Sequence, residues 1–261
     1  MSSDWQKKVV EILRTDTSDL KELARIAGAD YKTFYRGANF RSADLSGQDL
    51  HEFDLRGANL ASATLNTDLG SDNIARLREA LASLSGGNHA SQWAKAQNNL
   101  GTALQNQGLR TDGAAGTQLL AEAVTAYRDA LTIYTRDDHP LDWATTQNNL
   151  GNALQDQGTR TDGAAGTQLL ADAVTAYRDA LNIRTRDDHP VQWATTQNNL
   201  GDAEMAIAAH DTTKDPRPHL EAALSHVDAA LTVFDPEHMS YHFETTTRLR
   251  DDIKAKLAAL D

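Results

Sequence analysis

The sequence predicts a mainly α-helical fold, a solenoid of stacked helix pairs, with a shorter section of different periodicity near the N-terminus. Residues 93–142 and 143–192 are identical at 40 of 50 aligned positions, and apolar residues in each block recur at helical spacing. A five-residue period between Ala38 and Leu65 distinguishes the N-terminal section. Duplicating a pair of helices extends a surface, so the long repeat indicates an elongated stack.

Composition and charge exclude several classes of protein. The chain has 261 residues, 40% of them apolar, which is enough to bury a core. It has no cysteine, which rules out disulfides and thiolate metal sites and favours a cytoplasmic location. No segment approaches the ~18 to 20 apolar residues of a membrane span. The net charge of −12 repels nucleic-acid phosphates, so we expect a protein or peptide partner, and neither nucleic acid nor a membrane.

Residues 1–36 are predicted to form N-terminal helices. Within them, the stretch ELARIAGADYKTFYRG resembles the helix-turn-helix of tetracycline-repressor-type regulators, with a glycine in the turn. That resemblance implies a regulator that contacts DNA through residues 18–36. Lys32 and Arg36 alone are a small basic footprint for a DNA reader. We therefore favour a helical segment that leads into the next section, and DNA contact is the alternative.

The segment 37–69 has an apolar residue at every fifth position, a spacing that neither a helix nor a simple strand produces. It resembles the pentapeptide repeat, which implies a right-handed β-helix with four pentapeptides per coil. The six pentapeptides then make about a coil and a half. Some pentapeptide proteins inhibit gyrase by mimicking DNA. The acidity of this chain fits that alternative, but a coil and a half is far shorter than a DNA duplex footprint. The repeating positions are Phe40, Leu45, Leu50, Leu55, Leu60 and Leu65.

Each 50-residue unit is predicted to contain two helices. Pro140 and Pro190 suit a first helical turn, because the N–H that proline lacks has no partner there. The glycine-rich TRTDGAAG is interpreted as the linker between the two helices of a unit. We assign residues 70–237 to the solenoid and residues 238–261 to a helix that caps its open end. The apolar side of that last helix is predicted to consist of Leu249, Ile253, Leu257 and Leu260.

The helix pairs resemble the tetratricopeptide repeat. Its small residues let two antiparallel helices approach, and its aromatic residue fills the gap. The usual unit has 34 residues, and here about ten more lie between the helices and about six more between units. The doubled asparagine in QNNLG resembles the kinesin-light-chain type of this repeat more than the chaperone-binding type. The residues that carry the resemblance are Leu100, Gly101, Leu104, Ala123, Tyr127 and Ala130.

Polar residues recur on the first helix of each unit. By the resemblance, one asparagine of each doublet faces the concave groove, where amides bind an extended peptide backbone. The alternative is that these amides bond only between neighbouring helices. A chaperone-type carboxylate clamp is not supported, because Lys95 is replaced by Thr145 and Thr195. The candidate partner-binding residues are Lys95, Asn98, Asn99, Gln105, Asn148, Asn149, Asn152, Gln155, Asn198 and Asn199.

The sequence shows no residue pattern typical of a catalytic site. The DDHP turns could in principle hold a metal, but helix capping explains their Asp and His residues. The sequence has no HExxH motif, phosphate-binding glycine loop or nucleophile elbow. Trp93, Trp143 and Trp193 are predicted to fill space at the repeat junctions. We therefore predict a non-enzymatic scaffold or adaptor without catalytic residues, metal or cofactor, and self-association stays open.

Overall fold

A computed structural model describes residues 44–45, 64–65, 70–84 and 90–261. The chain forms two compact units, residues 1–72 and 73–261. The interpretations of residues 1–36 lie outside the described residues, and so does most of the segment with the five-residue period. The N-terminal unit is therefore described through two short strands, and the C-terminal unit through its helices.

The two strands show the spacing of the pentapeptide segment. Strand β1 (Asp44–Leu45) pairs in parallel with β2 (Thr64–Leu65), and Leu45 lies opposite Leu65. The partners are 20 residues apart in sequence, which equals four pentapeptides. A coil of four pentapeptides brings the chain back beside itself in this register, so the pairing agrees with the β-helix implied by the resemblance.

Eight helices follow in the part of the chain that the structure describes. Consecutive helices pack in pairs, α2 with α3, α4 with α5 and α6 with α7, and each pair packs on the next. The first helices of the pairs, α2, α4, α6 and finally α8, also contact one another directly. This arrangement confirms the predicted α-solenoid. The helices are α1 (Gly70–Leu84), α2 (Ala90–Arg110), α3 (Gly113–Leu131), α4 (Pro140–Gly158), α5 (Gly163–Leu181), α6 (Pro190–Ala209), α7 (Arg217–Leu231) and α8 (Ser240–Ala258).

The starts of the helices follow their sequence signals, with one correction. Helices α4 and α6 begin at Pro140 and Pro190, as predicted. The interpretation of GAAG as linker is wrong, because α3 and α5 already begin at Gly113 and Gly163. These glycines have φ values of +64° and +69°, a left-handed conformation that side chains disfavour. Two residues separate α2 from α3 and four separate α4 from α5, and glycine at the start of the second helix permits these short connections.

A glycine–tyrosine contact joins the two helices of each of the first two pairs. A Cβ atom on Gly101 would lie 2.7 Å from Cε1 of Tyr127, and one on Gly151 would lie 2.5 Å from Cε1 of Tyr177. Both tyrosine rings are fully buried. The glycines therefore permit the approach that the resemblance implies, and the rings fill the space between the helices.

The junctions between pairs contain the predicted tryptophans, which are half-buried. Trp93 and Trp143 pack against the cluster of Ala94, Ala130 and Tyr134. Trp193 packs against the corresponding cluster around Phe234. The rings therefore cover the junctions from one side and also contact solvent.

The last helix, α8, packs against α7 through some of the apolar residues predicted for it. Ile253 is fully buried, and Leu249 and Leu257 pack beside it. Leu260 follows the end of α8 and is 42% exposed. The capping role of residues 238–261 stays a prediction.

Candidate functional site

One side of the first helices is mostly polar in three successive units. Residues spaced by four, three and four positions share one side of a helix, and these positions are exposed or half-buried. We call this surface the amide face. Its members are Lys95, Asn99, Thr102 and Asn106 on α2; Thr145, Asn149, Asn152 and Asp156 on α4; and Thr195, Asn199, Asp202 and Ala206 on α6.

The second asparagine of each doublet lies on the amide face, and the first lies between neighbouring first helices. Asn99 is exposed, whereas Asn148 is only 6% exposed. The Oδ1 atom of Asn148 accepts hydrogen bonds from Thr196 Oγ1 at 3.0 Å and from Asn199 Nδ2 at 3.3 Å. These bonds join α4 to α6.

The same pattern occurs one unit earlier. Asn98 Oδ1 accepts from Thr146 Oγ1 at 3.3 Å and from Asn149 Nδ2 at 3.4 Å, which joins α2 to α4. In the third unit the pattern ends. Within the described residues Asn198 Oδ1 is buried without a hydrogen-bond partner, and Leu249 stands where the earlier units have Asn149 and Asn199.

A second set of polar contacts crosses the amide face near the C-terminal ends of the first helices. Gln105 Nε2 donates to Asp156 Oδ2 at 2.7 Å, and Gln155 Nε2 donates to Asp202 Oδ2 at 2.5 Å. The oxygens of the same glutamines accept from buried tyrosines, since Tyr177 Oη donates to Gln155 Oε1 at 3.0 Å. The glutamines thereby hold one carboxylate each at the junctions between units.

Burial controls the titration of these carboxyl groups. It raises the pKa of Asp156, which the Gln105 hydrogen bond and the charge of Arg160 partly lower again. Burial also raises the pKa of Asp202, and the Gln155 bond opposes that shift. The negative charge of Asp202 further raises the pKa of Asp156. The amide face therefore carries two carboxylates with incomplete charge compensation.

Asn152 and Lys95 are the remaining candidates from the sequence. Asn152 Oδ1 accepts from Tyr177 Oη at 2.7 Å and from Asn199 Nδ2 at 3.1 Å, so its oxygen is engaged in the packing of the units. Lys95 is exposed at the N-terminal end of the amide face. The structure thus places the candidate residues partly on the amide face and partly between neighbouring first helices.

Sequence reasoning missed two arginines. Arg184, only 9% exposed, donates from Nη1 to Thr196 Oγ1 at 3.2 Å and from Nη2 to Thr145 Oγ1 at 3.1 Å. The signal was present, because Arg184 replaces Tyr134 in an otherwise similar repeat. Arg160 donates to the carbonyl oxygens of Gly108, Leu109 and Thr111, and so satisfies the C-terminal end of α2 from the next unit.

The DDHP turns close by a different contact from the predicted cap. The helix caps at His139 and His189 have no side-chain hydrogen bond. Asp138 instead bonds with Thr135, whose Oγ1 lies 2.8 Å from Asp138 Oδ2. Across the described ranges, no three His, Cys, Asp or Glu residues group as metal ligands would. None of the helices there is long and apolar enough to span a membrane.

Comparisons with known proteins identify both repeats. The family of pentapeptide repeats (8 copies) matches residues 38–66, and the tetratricopeptide repeat family matches residues 143–190. No curated protein matches the chain. These matches support a tetratricopeptide-repeat protein with an N-terminal pentapeptide segment, as both resemblances implied. The kinesin-light-chain subtype stays a prediction. Tetratricopeptide repeats generally form non-enzymatic scaffolds for protein–protein interactions, and this fold suggests such a scaffold here.

Proposed function

We propose that the protein is a non-enzymatic scaffold or adaptor that binds an extended segment of a partner protein across the amide face. The observation that supports this most is the repetition of side-chain amides on the amide face of adjacent helices, exposed at Asn99 and half-buried at Asn149 and Asn199. A side-chain amide both donates and accepts hydrogen bonds, so it can pair with a peptide group of any sequence. Asn149 and Asn199 use their Nδ2 atoms in hydrogen bonds to the preceding first helix, so in this proposal their Oδ1 atoms accept from the partner.

The spacing of the helices suits an extended peptide. Helices in contact lie about 8 to 10 Å apart, and three residues of extended chain span about 10 Å. Successive first helices would therefore meet every third residue of a peptide that crosses them. Three units give a site of about seven to nine residues on this geometry.

The first asparagine of each doublet has a structural role in this proposal. Asn98 and Asn148 use their oxygens between neighbouring first helices, so we assign them to the stability of the stack. Asn198 has the same place in the third unit. Of the sequence candidates, we assign partner contact to Lys95, Asn99, Asn149, Asn152 and Asn199, and positioning of Asp156 and Asp202 to Gln105 and Gln155.

The division of the chain into segments and its cellular location form part of the same proposal. We assign residues 1–36 to N-terminal helices, 37–69 to the pentapeptide coil, 70–237 to the solenoid and 238–261 to the cap, in a cytoplasmic protein without cofactor. DNA contact through residues 18–36, or DNA mimicry by the pentapeptide coil, is the second candidate. Binding of the full-length chain to duplex DNA or to gyrase at physiological salt would favour it.

Site-specific photo-crosslinking tests the proposal. A photo-reactive residue at position 149 lies on the amide face of α4, and the same residue at position 175 lies on the exposed side of α5. In host lysate we expect a discrete protein adduct from position 149 and none from position 175. Equal labelling at both positions, or none at position 149, would contradict the amide face as the binding surface.

A further inference from the structure

Arg184 is a buried cation in a place that neighbouring units fill with aromatic rings. Its backbone N–H bonds to Ala180 O, as that of Tyr134 bonds to Ala130 O. The third unit has Phe234 at the same place, 3% exposed. Packing at the junction therefore does not require a positive charge, since an aromatic ring serves the other two units.

The guanidinium of Arg184 has no acidic partner among the described residues. Its hydrogen bonds go to two threonine hydroxyls, Thr196 and Thr145, which use two of its five N–H groups. Burial alone lowers its pKa, with no opposing carboxylate. A buried charge without a counter-ion is costly and is more often found at functional sites than in ordinary packing.

One of the two hydroxyls reaches the surface. Thr145 is exposed and belongs to the amide face, near the N-terminal end of α4. Arg184 therefore donates from Nη2 to a side chain that contacts solvent on that face. Its remaining N–H groups form a planar fork, the geometry that matches a carboxylate.

We propose that Arg184 and Thr145 form an anion subsite that binds a carboxylate of the partner segment. This inference rests on the proposed function, because it places the carboxylate on a peptide that crosses the amide face. Asp156 lies 11 residues further along α4, about 16 Å away along the helix. The face thus has a cationic end and an acidic end, which fixes how an asymmetric peptide lies on it.

Nuclear magnetic resonance of the full-length chain tests the subsite. The Nε–Hε signal of Arg184 and the amide signal of Thr145 report directly on ligands there. The probes are acetyl-Ala-Glu-amide for a side-chain carboxylate, acetyl-Ala-Ala for a terminal carboxylate, inorganic phosphate, and acetyl-Ala-Gln-amide as the uncharged control. We expect saturable shifts with one or both carboxylate peptides and none with the glutamine peptide. Saturation by phosphate alone, or by no probe, would overturn the proposal.

The matched variant is Arg184→Tyr, which restores the residue that the preceding unit carries. We expect R184Y to keep the melting temperature of the wild type, because Tyr134 already packs in this setting, and to weaken carboxylate binding at least tenfold. A large fall in melting temperature together with unchanged carboxylate binding would make Arg184 a tie between α4 and α6. The two proposals can fail separately. If no carboxylate binds at Arg184 but position 149 still crosslinks to a protein, only the anion subsite is refuted and the proposed function stands.

Discussion

Asn148 Oδ1 lies 3.0 Å from Thr196 Oγ1, across the contact between α4 and α6. Both residues are buried, at 6% and 0% exposure. The equivalent pair one unit earlier, Asn98 and Thr146, has a distance of 3.3 Å. This repeated contact joins successive first helices through one amide per unit, in addition to the Gln–Asp contacts near their C-terminal ends.

Asn148→Ala should lower the free energy of unfolding by about 1 to 2 kcal/mol, because it removes the two hydrogen bonds that Asn148 Oδ1 accepts from Thr196 and Asn199 on the next first helix. Asn198→Ala is the matched control. Its Oδ1 has no partner among the described residues, so the loss should be distinctly smaller. Urea denaturation followed by circular dichroism measures both. Equal losses in the two variants would show that the Asn148 bonds contribute no net stability.

Gly151→Ala should destabilise the second pair of helices. The added Cβ atom would lie 2.5 Å from Cε1 of Tyr177, whose ring is fully buried. Overpacking of this kind costs about 1 to 3 kcal/mol. A double-mutant cycle with Tyr177→Leu is the control, since the smaller side chain removes the clash. Additive losses in the cycle would mean that the glycine is not required by the ring.

Asp202→Asn should change how stability depends on pH. The folded-state pKa of Asp202 is raised above its ordinary value of 3.8, so the folded chain holds this proton more tightly than the unfolded chain does. Wild type should therefore gain stability relative to the variant as the pH falls from 7 towards 4. Asparagine is tolerated here, since Asn152 occupies the same place one unit earlier. Melting temperatures across that range check the prediction, and parallel pH profiles would refute it.

The sequence was sufficient to predict the helix pairs and the coil register. Helical periodicity and the first-turn prolines Pro140 and Pro190 are local signals. The 20-residue offset between Leu45 and Leu65 follows from the five-residue period together with the four pentapeptides per coil that the family resemblance implies. The glycine-rich linker was misplaced because Gly113 and Gly163 serve equally well in a linker or at a helix start. The structure distinguishes the two, because α3 and α5 begin at these glycines.

The candidate site depended on contacts that the sequence does not contain. Asn148 and Asn149 are adjacent on one helix, about 100° apart around its axis, so pattern alone does not tell which of them meets solvent. The hydrogen bonds that Asn148 accepts from Thr196 and Asn199 on the next first helix show that Asn148 is the residue turned away from solvent. Arg184 was missed for the same reason, because its isolation from carboxylates is a property of the folded junction.

Calorimetric titration of the partner captured at position 149 tests the central claim most directly. The triple variant Asn99→Ala, Asn149→Ala, Asn199→Ala removes one amide from each first helix, and Thr125→Ala with Thr175→Ala on the second helices is the control. Each lost hydrogen bond is worth about 0.5 to 1.5 kcal/mol, so the triple variant should bind at least tens-fold more weakly than the control. Melting temperatures measured alongside confirm that both variants are folded. Unchanged affinity in a folded triple variant would contradict the amide face as the binding surface.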